Sequence, residues 1–99
     1  LAYCKNTYQD VLETGLSPYA LARSIVNNMA GIREISVWAT FTELEDGKII
    51  IELRSSGKNV NQIAVKYGGG GHLQASGATI SGYDELELVI NDLIELAKE

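Results

Sequence analysis

The stretch ISVWATFTELEDGKIIIEL, residues 35–53, decides the fold because it alternates on both sides of a turn. Every second residue from 35 to 41 is apolar, and Ser, Trp and Thr residues lie between them. A period of two is typical of a β-strand with one buried face. Asp46-Gly47 is a strong hairpin signal, and apolar residues return at positions 49, 51 and 53. The stretch therefore predicts a β-hairpin within a sheet.

Helix signals flank this hairpin on both sides. Capping patterns and apolar residues at helical spacing indicate four helices. The predicted helices run from Thr7 to Thr14, from Ser17 to Gly31, from Asn59 to Tyr67 and from Asp84 to the C-terminus. Short strands are predicted at 1–5 and 78–80. We therefore expect one small α/β (α+β-like) domain over residues 1–99, with a mixed β-sheet of about four to five strands flanked by helices.

Composition limits the function classes. A chain of 99 residues with a formal charge of -5 makes a single acidic domain, which argues against a general nucleic-acid coat or a membrane-surface binder. One cysteine excludes an internal disulfide, and one histidine leaves no ligand set for a structural zinc site. The sequence starts at Leu1 and has no signal-like apolar segment. We expect a cytoplasmic fragment of a larger protein.

The most unusual stretch is GGGG at 68–71, followed by His72, the only histidine. Glycine costs conformational entropy on folding, so four in a row require either special turn and packing geometry or a closely approaching ligand. The run lies between the predicted helix end at Tyr67 and a short helix predicted from His72 to Ser76, whose N-terminus would favour an anion. A backbone cradle for an anion or nucleotide and a tightly packed turn both stay open.

Positive charge is concentrated in the same part of the chain. No acidic residue occurs from 53 to 83, a window that contains Arg54, Lys58, Lys66 and His72. A local basic pocket can concentrate a phosphate-bearing ligand even on an acidic protein. Arg54 has the opposite strand parity to its apolar neighbours. Its guanidinium could therefore bind phosphate oxygens or lie in solvent at the strand end.

These motifs resemble a known family. RSSG at 54–57, NVNQIA at 59–64 and GGGGHLQASGA at 68–78 are similar in order and spacing to the DHHA1 domain, the C-terminal substrate-binding half of DHH-family phosphoesterases. The resemblance is greatest to bacterial oligoribonuclease/pAp-phosphatase (nanoRNase) proteins. Two residues depart from the family pattern. Ser76 replaces a more usual Ala, and Asn59 replaces a common Asp, which caps a helix equally well.

The resemblance implies where substrate binds. In the family, an N-terminal DHH domain holds two manganese ions, and the DHHA1 domain holds the phosphates and sugar of the substrate. The residues implied in this sequence are Arg54, Gly68, Gly69, Gly70, Gly71 and His72. We add Ser55, predicted in the loop after the strand, because its hydroxyl could bind a sugar or phosphate, although it could equally satisfy the loop backbone.

Catalysis is not predicted for this fragment itself. A metal phosphoesterase needs several converging Asp and His ligands, which a single histidine does not supply. We therefore expect no catalytic or metal-binding residue here, and an inactive fragment. The leading hypothesis is a domain that positions short RNA or 3′-phosphoadenosine 5′-phosphate for manganese-dependent hydrolysis by a DHH domain of the same parent chain.

Several alternatives to this hypothesis stay open. The parent protein could be a cyclic-dinucleotide phosphodiesterase or a single-strand exonuclease of the same superfamily. The chain could also be a non-catalytic nucleotide-binding or interaction module, without a DHH domain. A homodimer stays open as well, and no membrane partner is expected.

Overall fold

The computed structural model of the chain describes residues 1–28 and 36–99, which form one mixed sheet with helices on both faces. In chain order the elements are β1 (Ala2–Asn6), α1 (Tyr8–Thr14), α2 (Pro18–Asn28), β2 (Val37–Glu43), β3 (Ile49–Ser55), α3 (Asn61–Lys66), β4 (Gly70–His72), β5 (Ala75–Ile80) and α4 (Tyr83–Lys98). The predicted α+β fold with a mixed sheet of about four to five strands is confirmed, and the sheet has five. The predicted end of α2 at Gly31 and start of β2 at Ile35 lie outside the described residues.

The strand order of the sheet is β1-β2-β3-β5-β4. β1 pairs parallel with β2, and the other neighbours pair antiparallel. The predicted β2–β3 hairpin is confirmed, and the backbone N–H of Leu44 donates to the carbonyl of Lys48 at 2.8 Å to close it. This order places β5 between β3 and β4. The two strands that carry Arg54 and His72 are therefore separated by one strand.

One face of the sheet forms the main core under α3 and α4. Alternate residues of β2 and β3 point into it, as the period of two predicts. Its largest fully buried members are Phe41, Ile49, Ile51, Leu53, Leu86 and Leu93. The capping box of α1 is also confirmed. Thr7 Oγ1 accepts from the Asp10 N–H at 3.2 Å, and Asp10 accepts from the Thr7 N–H at 2.9 Å.

The prediction that β2 has only one buried face is wrong. Trp38 and Thr40 point away from the main core, yet they are buried under α2. Trp38 Nε1 donates to the Val26 carbonyl at 3.0 Å, and Thr40 Oγ1 donates to the Ala22 carbonyl at 3.2 Å. Polar groups can be buried when they are hydrogen-bonded. An alternating sequence therefore does not separate a solvent-facing strand from one covered on both sides.

The helix predicted from His72 to Ser76 is also wrong. The glycine run continues as β4, turns at Leu73-Gln74 and returns as β5, which is longer than the predicted strand at 78–80. No helix N-terminus that could favour an anion therefore lies within residues 68–76. The small residues of this segment serve close strand pairing rather than close helix packing.

The last helix begins one residue earlier than predicted, without the predicted side-chain cap. α4 starts at Tyr83 with Gly82 as its N-cap residue, and no side-chain capping bond is formed there. Glu85 instead accepts from the backbone N–H of Ser81 at 2.9 Å. The capping box predicted from Asp84 to Glu87 is therefore wrong, because a glutamate one turn along reaches back past the N-cap residue.

The buried hydroxyl of Thr40 gives a test of the second covered face. Thr40→Val keeps the shape of the side chain but removes the donor to α2, so we expect a loss of about 1 kcal/mol in the free energy of unfolding. Urea denaturation measures this. Thr79→Val, at an exposed position of β5, is the control and should change stability little. A Thr40→Val protein as stable as the control would contradict the role of this bond.

Candidate functional site

Strand register brings Arg54 and His72 to the same face of the sheet. Arg54 lies opposite Ala75 in the β3–β5 pair, and Ala75 lies opposite His72 in the β4–β5 pair. Directly opposed residues of neighbouring strands point to the same face. Because adjacent strands are about 4.8 Å apart, the two backbones are separated by roughly 10 Å, with only an alanine between them.

The next row along the strands is Glu52, Gly77 and Gly70. Glu52 Oε2 lies 3.4 Å from Nη1 of Arg54, and the same Nη1 donates to the Leu53 carbonyl at 2.9 Å. The carboxylate extends toward β5, where a Cβ on Gly77 would lie 3.3 Å from Oε2. Sequence reasoning put Glu52 at the edge of the basic window and gave it no role. The sequence did carry one signal: Glu52 and Arg54 are two positions apart in a predicted strand, so their side chains point to the same face.

Together these two rows form what we call the sheet patch, defined by Glu52, Arg54, Gly70, His72, Ala75 and Gly77. The patch lies on the same face that α2 covers over β2 and the start of β3, where Ile50 is buried. At the patch, His72 is exposed, and the side chains of Arg54 and Glu52 are 21% and 17% exposed. The patch thus has an arginine–glutamate pair on one side, a histidine on the other and a floor of small residues.

Packing accounts for part of the glycine run. A Cβ on Gly69 would lie 2.0 Å from the Gly77 carbonyl oxygen, and one on Gly71 would lie 2.6 Å from the Ala75 carbonyl oxygen. Both glycines therefore let β4 and the chain before it lie directly against β5. Gly70 differs, because a Cβ there would meet nothing within 4 Å. Among these three, Gly70 is the glycine that neighbouring atoms do not require, and it faces the patch.

The remaining predicted groups lie elsewhere. Ser55 is the last residue of β3 rather than part of the loop, and its buried hydroxyl donates to the Lys58 carbonyl on the face opposite the patch. The ammonium of Lys58 donates to the carbonyl of Glu99, and that of Lys66 lies 2.9 Å from Asp92. The basic window of the sequence therefore does not fold into one basic pocket.

Ser76 has a role that sequence reasoning missed. Its side chain is buried under the sheet, and Oγ lies 2.5 Å from the carbonyl oxygen of His72, to which it donates. This bond holds the backbone of His72 against β5. The serine that departs from the family pattern thus supports the histidine, and no sequence signal distinguished it from an alanine that only fills space.

The helix before the glycines is fixed by a polar cluster with α4. The Tyr67 hydroxyl donates to Asp92 at 2.6 Å, and Lys66 Nζ lies 2.9 Å from the same carboxylate. The pKa of the Tyr67 hydroxyl lies far above its usual range. Burial of the hydroxyl is the main cause, and the hydrogen bond to Asp92 raises the pKa further. Burial also opposes the charge of Asp92, but the bond from Tyr67 and the ion pair with Lys66 outweigh it and lower the pKa of that carboxyl.

Residues 1–28 and 36–99 contain neither a cluster of metal ligands nor a membrane-spanning helix. Within these ranges no three His, Cys, Asp or Glu side chains lie together in a way that could hold a metal ion. No helix in the same ranges has the length and apolar character needed to cross a bilayer. The residues of the patch offer hydrogen bonds and charge.

Comparison with known proteins identifies the family. The model of the DHHA1 domain matches residues 8–99. The chain belongs to the DHHA1 domain family. Relatives of this DHHA1 domain include the bifunctional oligoribonuclease and PAP phosphatase NrnA of Mycoplasma genitalium, 44% identical over 70 residues that make up 71% of this chain and 22% of that protein. The NrnA protein of Bacillus subtilis is 40% identical over 91 residues, 92% of this chain and 29% of that protein.

Solved structures show the same fold. An exopolyphosphatase-related protein from Bacteroides fragilis matches 99% of the DHHA1 domain and 31% of its own chain, with a TM-score of 0.80 and 27% identity. The pGpG-specific phosphodiesterase PggH from Vibrio cholerae covers 64% of the domain and 24% of its own chain, with a TM-score of 0.53 and 21% identity. The domain therefore spans less than a third of each of these relatives.

The glycine run gives a paired stability test. Gly69→Ala forces a methyl group into the backbone of β5, so we expect the free energy of unfolding to fall by about 1 to 3 kcal/mol. Gly70→Ala places its methyl group in open space and should change stability by less than about 1 kcal/mol. Urea denaturation of both variants measures the difference. Equal losses of stability in the two variants would mean that packing requires a glycine at both positions.

The Asp92 cluster predicts a pH dependence of stability. Because its pKa is lowered in the folded protein, Asp92 contributes stability that is present above the unfolded pKa of about 3.9 and is lost as pH falls through the folded value. Asp92→Asn should cost about 1 to 3 kcal/mol at pH 7 and should flatten the decline of stability below pH 4. Urea denaturation from pH 7 to pH 2.5 measures both effects. An unchanged acid profile in the variant would contradict this role.

Proposed function

We propose that this DHHA1 domain binds the phosphate and ribose of a nucleotide substrate within a longer DHH-family phosphoesterase. The substrate class is short oligoribonucleotides, 3′-phosphoadenosine 5′-phosphate or both. The observation that carries the proposal is the row of Arg54, Ala75 and His72 on one face of the sheet. The relatives named as oligoribonuclease and PAP phosphatase support the choice of substrate.

The chemistry of the patch supports phosphate binding. A guanidinium presents several N–H donors in a planar fork that matches phosphate oxygens, and an imidazole adds a further donor. Gly70, in the neighbouring row of the patch, has no side chain, so a ligand can reach the backbone of β4 there. Our proposed contact set is therefore Arg54, Gly70 and His72. Gly68, Gly69 and Gly71 shape β4 and the chain that leads into it, and Ser55 has no part in the set because its hydroxyl is on the other face.

The role of such a domain is to position the substrate. Holding a phosphate at two points on a rigid sheet fixes the bond to be cleaved relative to the catalytic groups. Because the translational and rotational entropy is then lost on binding and not in the reaction step, the activation barrier of hydrolysis is lowered. We propose that a DHH domain elsewhere in the parent chain supplies those groups and holds manganese, as the family resemblance implies, and the relatives of which this chain spans 22% and 29% are long enough for such a domain. We expect the isolated DHHA1 domain to be inactive. The cytoplasmic location and a homodimer stay predictions.

Removal of either predicted phosphate ligand tests the proposal. In the full-length protein supplied with manganese, Arg54→Ala and His72→Ala should each raise KM about tenfold or more for a short oligoribonucleotide and for 3′-phosphoadenosine 5′-phosphate, since each removes a charge-assisted hydrogen bond. Gly70→Ala should also raise KM, although its stability is kept. Steady-state hydrolysis assays measure these effects.

Lys48→Ala is the matched control for these variants. Lys48 is an exposed cation in the β2–β3 turn, at the opposite end of the sheet from the patch, so its loss removes one positive charge without touching the proposed site. KM should be unchanged in this variant. If Arg54→Ala and His72→Ala also leave KM unchanged while the proteins stay folded, the patch does not bind substrate.

A further inference from the structure

The carboxylate of Glu52 lies inside a patch whose proposed ligand is an anion. Its Oε2 is 3.4 Å from Arg54 Nη1, so it neutralises part of the charge that would attract phosphate. A carboxylate only accepts hydrogen bonds, and it repels a phosphate placed against it. The hydrogen bonds of the described residues include one to this carboxylate, from Arg54, which leaves further acceptor capacity. A ligand that fits both groups must present a donor beside its phosphate.

We propose that Glu52 accepts a hydrogen bond from the 2′-hydroxyl of the nucleotide whose phosphate Arg54 binds, and so selects ribose over deoxyribose. This inference rests on the proposed function and names the residue that sets its sugar specificity. In an internal nucleotide the 3′ and 5′ oxygens are esterified, so the 2′-hydroxyl is the free donor of the sugar. It is also the group by which a protein distinguishes RNA from DNA.

The geometry of the patch suits this arrangement. Glu52 and Arg54 are two residues apart on β3 and point to the same face, so their head groups are adjacent, as a ribose hydroxyl and its phosphate are adjacent in a nucleotide. Gly77 lies opposite Glu52 and Gly70 lies beyond it. The Glu52 carboxylate lies over Gly77, and Gly70 has open space above it, so a sugar ring can rest over Gly70 while its hydroxyl reaches the carboxylate.

Two other roles for Glu52 lead to different results. If the carboxylate only held Arg54 in place, its removal would lower kcat/KM for RNA and DNA substrates alike. If the carboxylate only repelled phosphate, its removal would raise kcat/KM for both substrates alike. A ribose contact instead predicts a loss confined to substrates that carry the 2′-hydroxyl, which is the signature of a direct pair in a double-mutant cycle.

The experiment compares a short oligoribonucleotide with the oligodeoxyribonucleotide of the same sequence, hydrolysed by the full-length protein with manganese. We expect the wild-type protein to prefer RNA in kcat/KM. Glu52→Ala should lower kcat/KM for RNA about tenfold or more and leave the DNA value within about twofold, so that the preference is lost. Glu52→Gln keeps the shape and a neutral acceptor, and should give an intermediate preference. Glu87→Gln, at an exposed position on α4, is the control.

Several outcomes would overturn the inference. These are equal losses on both sugars, equal gains on both sugars, or a wild-type protein that does not prefer RNA. Thermal unfolding of Glu52→Gln and Glu52→Ala establishes that the variants fold. A failure here is distinct from failure of the proposed function. In the first case Arg54→Ala and His72→Ala still raise KM, and in the second they do not.

Discussion

The close approach of the glycine run to β5 is the constraint on which the candidate site depends. Gly69 and Gly71 bring the chain so near to β5 that a Cβ at either position would overlap backbone atoms. That contact creates β4, and the register of β4 places His72 in line with Ala75 and Arg54. Without it, the histidine would have no fixed relation to β3. The glycines thus act first through packing, and the open position at Gly70 follows from the same geometry.

Electrostatics within the patch are more balanced than the sequence indicates. The two lysines of the basic window interact with groups of the C-terminal helix region, and Arg54 is accompanied by Glu52. An arginine beside a carboxylate attracts phosphate less strongly than a free one, but it is held in a defined position. Such a site discriminates by the arrangement of donors and acceptors more than by charge, which fits a substrate that combines a phosphate with a hydroxyl-bearing sugar.

The polar cluster of Lys66, Tyr67 and Asp92 links this site to the hydrophobic core. It joins the end of α3 to α4, whose buried face packs against the sheet. Because Tyr67 immediately precedes the glycine run, the position from which the run enters the sheet is fixed by this cluster. Ser76 completes the support from below by holding the His72 carbonyl. Both supports lie on the face of the sheet away from the patch, so neither occupies the side on which the patch lies.

The sequence by itself determined the β2–β3 hairpin, the first capping box, the α+β class and the family, because these depend on local periodicity, turn chemistry and ordered motifs. Tertiary structure decided the rest. Whether Trp38 and Thr40 face solvent depends on a helix that is distant in sequence. Whether the glycines open a helix or a strand depends on the space beside β5. The alignment of His72 with Arg54 across β5, and the separation of both from Lys58 and Lys66, follow from strand register and helix packing. Such contacts join residues far apart in the chain, and local sequence patterns do not encode which of them meet.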